Sequence, residues 1–410
     1  MWSSNARERA VLAWLLAPHS IEEFAEKYYE RAPLYIPRNE PHRYDRYFTL
    51  EEYERVLYGS IVRAKDLGMV KNGVGARIET YAQESSGDKR TKAPVYDLID
   101  SDRVSALFGG GCSLVLDRVG TMSPPLARLI RELEVVFGHR VNANVYLTPP
   151  GNQGFAIHYD THDTIIIQIE GSKHWRVYNS ATELPLEDEF FDKSLHAVGD
   201  VQLEMEMQPG DLLYLPRGVL HEGKANDVLS LHVTLGLYPQ KWYNALMETV
   251  AKAARAHPRL RSTVNLDDLS SSEFAQILDS IFAEDAVRDA VETSKRQFCR
   301  ERRNGLDGQM RQIAELPRLS DASVVAMRPN MLYDMTATEQ STKLAFNGKT
   351  LTFGKGAAAI VHALEATERV EMASLIQLEE HALKIVKRLI QEGFAVQLPA
   401  AGGAKAQTVA

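Results

Sequence analysis

From Ile78 to Leu237 the chain is a succession of short β-type runs separated by Gly/Pro turns, and this cadence constrains the fold more than any other feature. Asn144-Val-Tyr-Leu-Thr-Pro-Pro-Gly is a strand running into a turn. Thr164-Ile-Ile-Ile-Gln-Ile-Glu-Gly-Ser-Lys-His-Trp-Arg-Val-Tyr reads as two strands joined at Glu170-Gly171. Met207-Gln-Pro-Gly-Asp-Leu-Leu-Tyr-Leu-Pro-Arg-Gly-Val-Leu-His is a turn, a buried strand and a second turn that presents His221. Many short antiparallel strands of this kind close on themselves as a double-stranded β-helix, or jelly roll.

Chemistry-bearing residues sit at the turns of that pattern. In His158-Tyr159-Asp160 the outer two residues point to the same side of an extended segment. With His221 returned by an antiparallel sheet, they make two imidazoles and one carboxylate, the donor set that holds Fe(II) and leaves three coordination positions open. Lys173 supplies a cation that could anchor a dicarboxylate cosubstrate beside the metal. H-x-D alone is a weak signal in a chain with 12 histidines, and the strand context is what strengthens it. The bland alternative is a metal-free barrel whose histidines are core or surface residues. His162, Asp163, Gln168 and His232 are candidates for orienting the ligand imidazoles. His162 and His174 read more simply as packing or surface residues, whereas His232, alternating in Ser230-Leu-His-Val-Thr-Leu, could point inward. Arg217 reads as structural or rim, and Asp117-Arg118 as a surface salt bridge rather than a substrate contact.

Together these segments resemble the JmjC-type 2-oxoglutarate oxygenases on a cupin fold, in particular the ribosomal-oxygenase branch of protein hydroxylases. The resemblance is close from Asn144 to Leu237 and loose over most of the chain. It implies Fe(II) bound by His158, Asp160 and His221, and Lys173 paired with the far carboxylate of 2-oxoglutarate. It also implies that Asn144 and Tyr146 line the cosubstrate pocket and that O2 is consumed; His232, by its alternation on the strand, is a further candidate contact. The activity implied is hydroxylation of a side chain in a protein or peptide, either a ribosomal protein or a ribosomally made natural-product precursor. The same oxidant acting on an N-methyl group would make an N-methyl-lysine demethylase. A non-catalytic cupin or winged-helix binding protein is a third reading, disfavoured by an intact donor set plus Lys173. The residues do not separate hydroxylase from demethylase.

At 410 residues, two or three domains are expected in an α+β architecture. Residues 1–238 read as the catalytic double-stranded β-helix with helices in front: Ala10–Leu16, a start capped at Ser20, another opening at Thr49, and one over 125–137. The polar stretch Gln83 to Lys92 reads as a loop bordering the substrate entrance. Residues 239–312 change to helical texture: Lys241 to His257, stopped by Pro258, then a helix opening at Ser270-Ser-Ser, then Ala286–Arg303. In the resembling family such an insert mediates dimerisation, so a homodimer is expected, with a monomeric helical subdomain as the alternative. Residues 313–400 pair a hairpin across Asn347-Gly348 with helices at Ala357–Ala366, Met372–Gln377 and Glu379–Glu392, an order that suggests a winged helix. Residues 401–410 are low in complexity and expected to be disordered. Net charge is −8, and the stretch Glu371 to Glu380 is acidic, so nucleic-acid binding is not expected. Two distant cysteines, Cys112 and Cys299, fit a reducing compartment. The apolar run Val11 to Ala17 is too short to span a bilayer, and a soluble cytoplasmic protein with no membrane partner is expected.

Overall fold

Hydroxyl caps open the second and third helices where the sequence indicates. In a computed structural model of the chain, Ser20 Oγ accepts from the Glu23 amide at 3.0 Å and Thr49 Oγ1 from the Glu52 amide at 3.2 Å. These caps start α2 (Ile21–Lys27) and α3 (Leu50–Gly59), after α1 (Ala10–Leu16) and before α4 (Ser101–Gly109) and α5 (Pro124–Phe137). The structure describes Trp2 and residues 9–85, 95–179, 182–267 and 271–399. They fall into two units, Met1–Pro239 and Gln240–Ala410.

The strands of the first unit are β1 (Leu34–Ile36), β2 (Leu67–Lys71), β3 (Val74–Gly75), β4 (Ala82–Ser85), β5 (Val95–Ile99), β6 (Ser113–Leu116), β7 (Arg140–Thr148), β8 (Asp163–Glu170), β9 (Lys173–Tyr178), β10 (Val201–Met207), β11 (Leu212–Leu215), β12 (His221–Ala225) and β13 (Ser230–Tyr238). An eight-stranded sheet runs β1-β11-β8-β13-β7-β6-β2-β3, and a three-stranded sheet runs β10-β9-β12. β4 and β5 pair separately; Gln83, Glu84 and Ser85 of the expected entrance loop lie on β4, and its remainder is outside the described residues.

Two apolar layers hold the sheets. One face of the large sheet, through Ile165, Ile167, Tyr214 and Val233, packs with the helices, where α5 buries Leu126, Leu129, Leu133 and Val136. The other face, through Ile166, Leu213 and Leu215, meets Trp175, Val177, Met205 and Met207 of the small sheet. β8 is therefore covered on both sides, which is why it reads as a continuous run of isoleucines rather than an alternation. The turn from β8 to β9 needs glycine: Gly171 has φ 57°, and a Cβ there would sit 1.6 Å from the Leu229 carbonyl oxygen.

The second unit begins with α6 (Trp242–Ala256), α7 (Ser272–Ile281), α8 (Glu284–Glu301) and α9 (Gln309–Glu315). It continues with β14 (Val324–Met327), β15 (Asp334–Ala337), β16 (Ser341–Phe346), β17 (Lys349–Gly354), α10 (Ala357–Ala366), β18 (Val370–Glu371), α11 (Met372–Leu378), α12 (Ala382–Gln391) and β19 (Ala395–Leu398). Sheets β18-β14-β19 and β15-β16-β17 share a core in which Val325, Phe346, Ile360, Leu375, Val386 and Phe394 are fully or nearly fully buried. Asn347 and Gly348 both take positive φ, as a two-residue hairpin of this hand demands. Among the described residues no helix is long and apolar enough to cross a membrane. Residues 401–410 lie outside the described residues.

Candidate metal and cosubstrate site

The segment after β7 does not form a regular strand, yet it extends the small sheet. His158 and His221 exchange backbone hydrogen bonds, at 2.8 Å and 3.2 Å, and Gln153 bridges to Lys224. This pairing brings the distal histidine back beside the H-x-D segment. The Asp160 carbonyl accepts from the Gly218 amide at 3.0 Å, tying the third position to the turn before β12. Candidate ligand atoms of His158, Asp160 and His221 all lie within 4.8 Å of one another.

Backbone carbonyls orient both imidazoles. His158 Nδ1 lies 2.8 Å from the Ala156 carbonyl, and His221 Nδ1 lies 3.0 Å from that of Val219. In the neutral ring this places the proton on Nδ1 and leaves the Nε2 lone pair free, the tautomer a metal ion requires. Burial, reinforced by His158 and only partly opposed by Asp160, pushes the His221 imidazole down to about 4, so it is neutral near pH 7. His158 and Asp160 are half-buried, which leaves this end of the site open to a substrate.

The pocket continues inward to Lys173, which is buried. Burial alone pushes its ammonium down to about 7. Its Nζ lies 5.2 Å from the centre of the Trp175 ring. No carboxylate pairs with it among the described residues. Gly223, opposite Trp175 on β12, makes room for its stem: a Cβ there would lie 2.9 Å from Lys173 Cε and 3.1 Å from the Trp175 ring. Tyr146 and His232 are cross-strand partners on β7 and β13, and their rings stack at 4.7 Å with 4° between planes. His232 Nδ1 is buried without a hydrogen-bond partner, and burial followed by Lys173 holds its pKa well below the usual imidazole range.

The structure brings His158, Asp160, His221, Lys173, Tyr146 and His232 into one cavity wall. Asn144 is on the same face of β7 as Tyr146 but is not among the residues that line the cavity; its Oδ1 accepts from the Arg118 amide at 3.1 Å. The other candidates have structural partners. Asp163 and Arg217 form a buried pair at 3.2 Å, with Glu30 on the same guanidinium at 2.5 Å. Gln168 donates to the Glu170 carbonyl and to Ser230 Oγ, bracing the β8–β9 turn. His162 stacks on Tyr238, His174 pairs with Glu204, and Arg118 pairs with Asp66. Trp175, Gly223, Ser113, Thr148, Phe155 and Thr234 also line the cavity and were not singled out in the sequence. Trp175, Thr148 and Thr234 carried a signal, since each alternates on one strand with a candidate residue, Lys173, Tyr146 and His232 respectively.

Comparison with known proteins agrees with this geometry. Residues 121–245 match the family model described as the JmjC domain. Over 254 residues the chain is 34% identical to ribosomal oxygenase 1 of Gallus gallus, covering 61% of this chain and 40% of that protein. Over 315 residues it is 29% identical to the bifunctional lysine-specific demethylase and histidyl-hydroxylase NO66 of Aedes aegypti, covering 71% and 48%. The chain thus spans less than half the length of these curated relatives. Among solved structures, Escherichia coli ycfD aligns with a TM-score of 0.54 at 16% identity, over 93% of this chain and 98% of that one. The same ribosomal oxygenase in complex with cobalt and 2-oxoglutarate aligns with a TM-score of 0.51. At that identity the likeness is one of fold. The chain has the fold of that Escherichia coli protein, its residues 121–245 are similar to the JmjC domain, and over about three fifths of its length it is similar to ribosomal oxygenase 1.

Proposed function

We propose that the chain is an Fe(II)- and 2-oxoglutarate-dependent dioxygenase that hydroxylates an amino-acid side chain in a protein or peptide. The observation that carries this reading is one cavity with three convergent donors at its open end and an unpaired buried lysine at its inner end. The donor set fits the metal, because two imidazoles with their Nδ1 atoms already engaged and one carboxylate suit Fe(II) and leave positions free. The inner end fits a dicarboxylate, because the buried Lys173 ammonium has no carboxylate partner among the described residues and His232 Nδ1 is buried without a hydrogen bond.

When bound, the iron, 2-oxoglutarate and O2 supply oxidation of an unactivated C–H bond. The chain's residues do the rest. His158, Asp160 and His221 hold the metal. Lys173 binds the far carboxylate, regaining its proton as the ion pair forms, since a charge-assisted hydrogen bond is short and strong where water is excluded. Tyr146, Trp175 and His232 wall the cosubstrate. Substrate enters on the half-buried side of His158 and Asp160.

The similarity to ribosomal oxygenases supports a ribosomal protein as the substrate class. Mass spectrometry of ribosomal-protein peptides incubated with the protein, Fe(II), 2-oxoglutarate and air tests it. Gain of one oxygen on a side chain is the expected result. Loss of a methyl group from an N-methyl-lysine peptide would instead favour the demethylase reading, which the Aedes aegypti relative's name keeps in view. No succinate with any peptide would contradict both.

For the rest of the chain the reading is a division into residues 1–238, 239–312 and 313–400. Trp242, Tyr243 and Met247 on α6 and Phe282 just after α7 are more than half exposed, which supports residues 239–312 as a homodimer interface. Residues 313–400 act as a winged-helix module for protein contact rather than nucleic acid. Two free cysteines and the lack of a membrane-spanning helix among the described residues fit a cytoplasmic enzyme. A monomer by light scattering would refute the dimer.

A further inference from the structure

Tyr159 is the middle residue of the H-x-D segment, and its side chain leaves the metal face altogether. It is 4% exposed and sits with Tyr178 and Leu220 in a small apolar cluster apart from both barrel cores, against which Ile157 and Phe191 pack. Every chain segment that carries a candidate ligand contributes to this cluster. Ile157 and Tyr159 flank His158, Tyr159 precedes Asp160, and Leu220 precedes His221. The Tyr178 amide donates to the Leu220 carbonyl at 2.8 Å, fixing β9 to the same spot.

The remaining wall comes from the connection between β9 and β10. Over its described residues, 182–200, this segment has no regular structure, and only Pro185 is buried. Thr182 and Pro185 lie against Gly218, and the stretch 189–196 meets Tyr159. Tyr159 Oη donates to the Glu189 carbonyl at 3.0 Å and lies 3.3 Å from His196 Nε2. His196 Nδ1 in turn lies 2.8 Å from the Asp192 carbonyl, closing the loop on itself. The rings of Tyr159, Phe191 and His196 meet pairwise at 5.5 to 5.6 Å.

The geometry points to Tyr159 as a positioning residue through which the loop 186–196 sets the arrangement of the metal ligands. Resting on the metal site proposed above, this inference assigns the loop a role that none of its own residues plays by touching the metal.

The test uses Co(II) as the probe, followed by its visible absorption, with hydrogen exchange reporting the loop. Tyr159→Phe keeps the ring and removes the hydroxyl; His196→Ala changes only the loop. Both variants are expected to exchange amides of 186–196 about fivefold faster, the scale of one lost hydrogen bond. Both should bind Co(II) about tenfold more weakly, the lower end of what partners behind metal ligands contribute. The double variant should be no weaker than either single one, and Lys193→Ala, exposed on the same loop, should match the parent. Faster exchange with parental Co(II) affinity would overturn the positioning role while leaving the metal site intact, and so would unchanged exchange in both variants. A parent protein that binds no Co(II) would instead remove the metal site and this inference with it.

Discussion

The two ends of the cavity are built on different principles. At the open end, His158 and His221 are held by backbone: a strand-like exchange of hydrogen bonds, two carbonyls on the Nδ1 atoms, and a glycine amide on the Asp160 carbonyl. At the inner end, Lys173 is held by packing alone, between Trp175 and the space Gly223 leaves, near the stacked pair Tyr146 and His232. A backbone scaffold tolerates changes in neighbouring side chains. A packed, desolvated one is sensitive to a single methyl group. The metal end should therefore be perturbed mainly through its ligands and the Tyr159 contact that braces them, and the cosubstrate end by any change in its packing.

The largest effect should come from breaking the metal end. His158→Ala or His221→Ala is expected to weaken Co(II) binding by more than about 100-fold, because even groups behind ligands are worth 10- to 100-fold. Absorption titration reads this, and near-parental affinity would remove the ligand assignment. Lys173→Met should act on the other end only. Its affinity for 2-oxoglutarate should fall roughly 10- to 150-fold, the worth of a hydrogen bond to a charged group, with Co(II) affinity unchanged. Calorimetry with each ligand separates the two.

Lys173 also predicts a pH dependence of stability in the protein without ligands. Its pKa is pushed down to about 7 when folded, against 10.5 for an ordinary lysine. Between those values the unfolded chain binds a proton that the folded chain has shed, so stability rises with pH over this window. Chemical denaturation from pH 7 to 9 should show a contribution of roughly 1 kcal/mol per pH unit from this group. Lys173→Met should lose that slope and be the more stable variant at pH 7; an identical slope would mean that the lysine is not desolvated. Gly223→Ala sharpens the same contrast. Its Cβ would meet Lys173 Cε at 2.9 Å, so 2-oxoglutarate affinity should drop about tenfold, the order of 1.4 kcal/mol, while metal binding stays parental. The smallest effect expected is that of Tyr146→Phe, a few-fold loss for 2-oxoglutarate, since its stacking on His232 survives the loss of the hydroxyl.

The contrast between the ends also explains what the sequence disclosed. The convergence of His158, Asp160 and His221 was legible because much of what sets it is local. Alternation puts His158 and Asp160 on one side, and the Pro216-Arg217-Gly218 turn marks the approach to His221. Helix starts were legible for the same reason, through the Ser20 and Thr49 caps. The cosubstrate end depends on register between strands far apart in the chain. Nothing near Gly223 announces that it faces Trp175, and nothing near Ser113 announces the cavity. Four polar residues near the motif, His162, Asp163, Gln168 and His232, could not be ranked from spacing. Their partners are Tyr238, Arg217, Ser230 and Tyr146, on other strands or in a turn. Asn144 and Tyr146 alternate identically on β7, yet Tyr146 lines the cavity while Asn144 Oδ1 accepts from the Arg118 amide.

The central claim is that the two ends form one site for Fe(II) and 2-oxoglutarate. Anaerobic titration with Fe(II) and then 2-oxoglutarate, following the visible charge-transfer band of the chelate, tests it most directly. The band should appear in the parent, vanish in His158→Ala, and require much higher 2-oxoglutarate in Lys173→Met. A folded, iron-loaded parent that develops no band on addition of 2-oxoglutarate would contradict the claim.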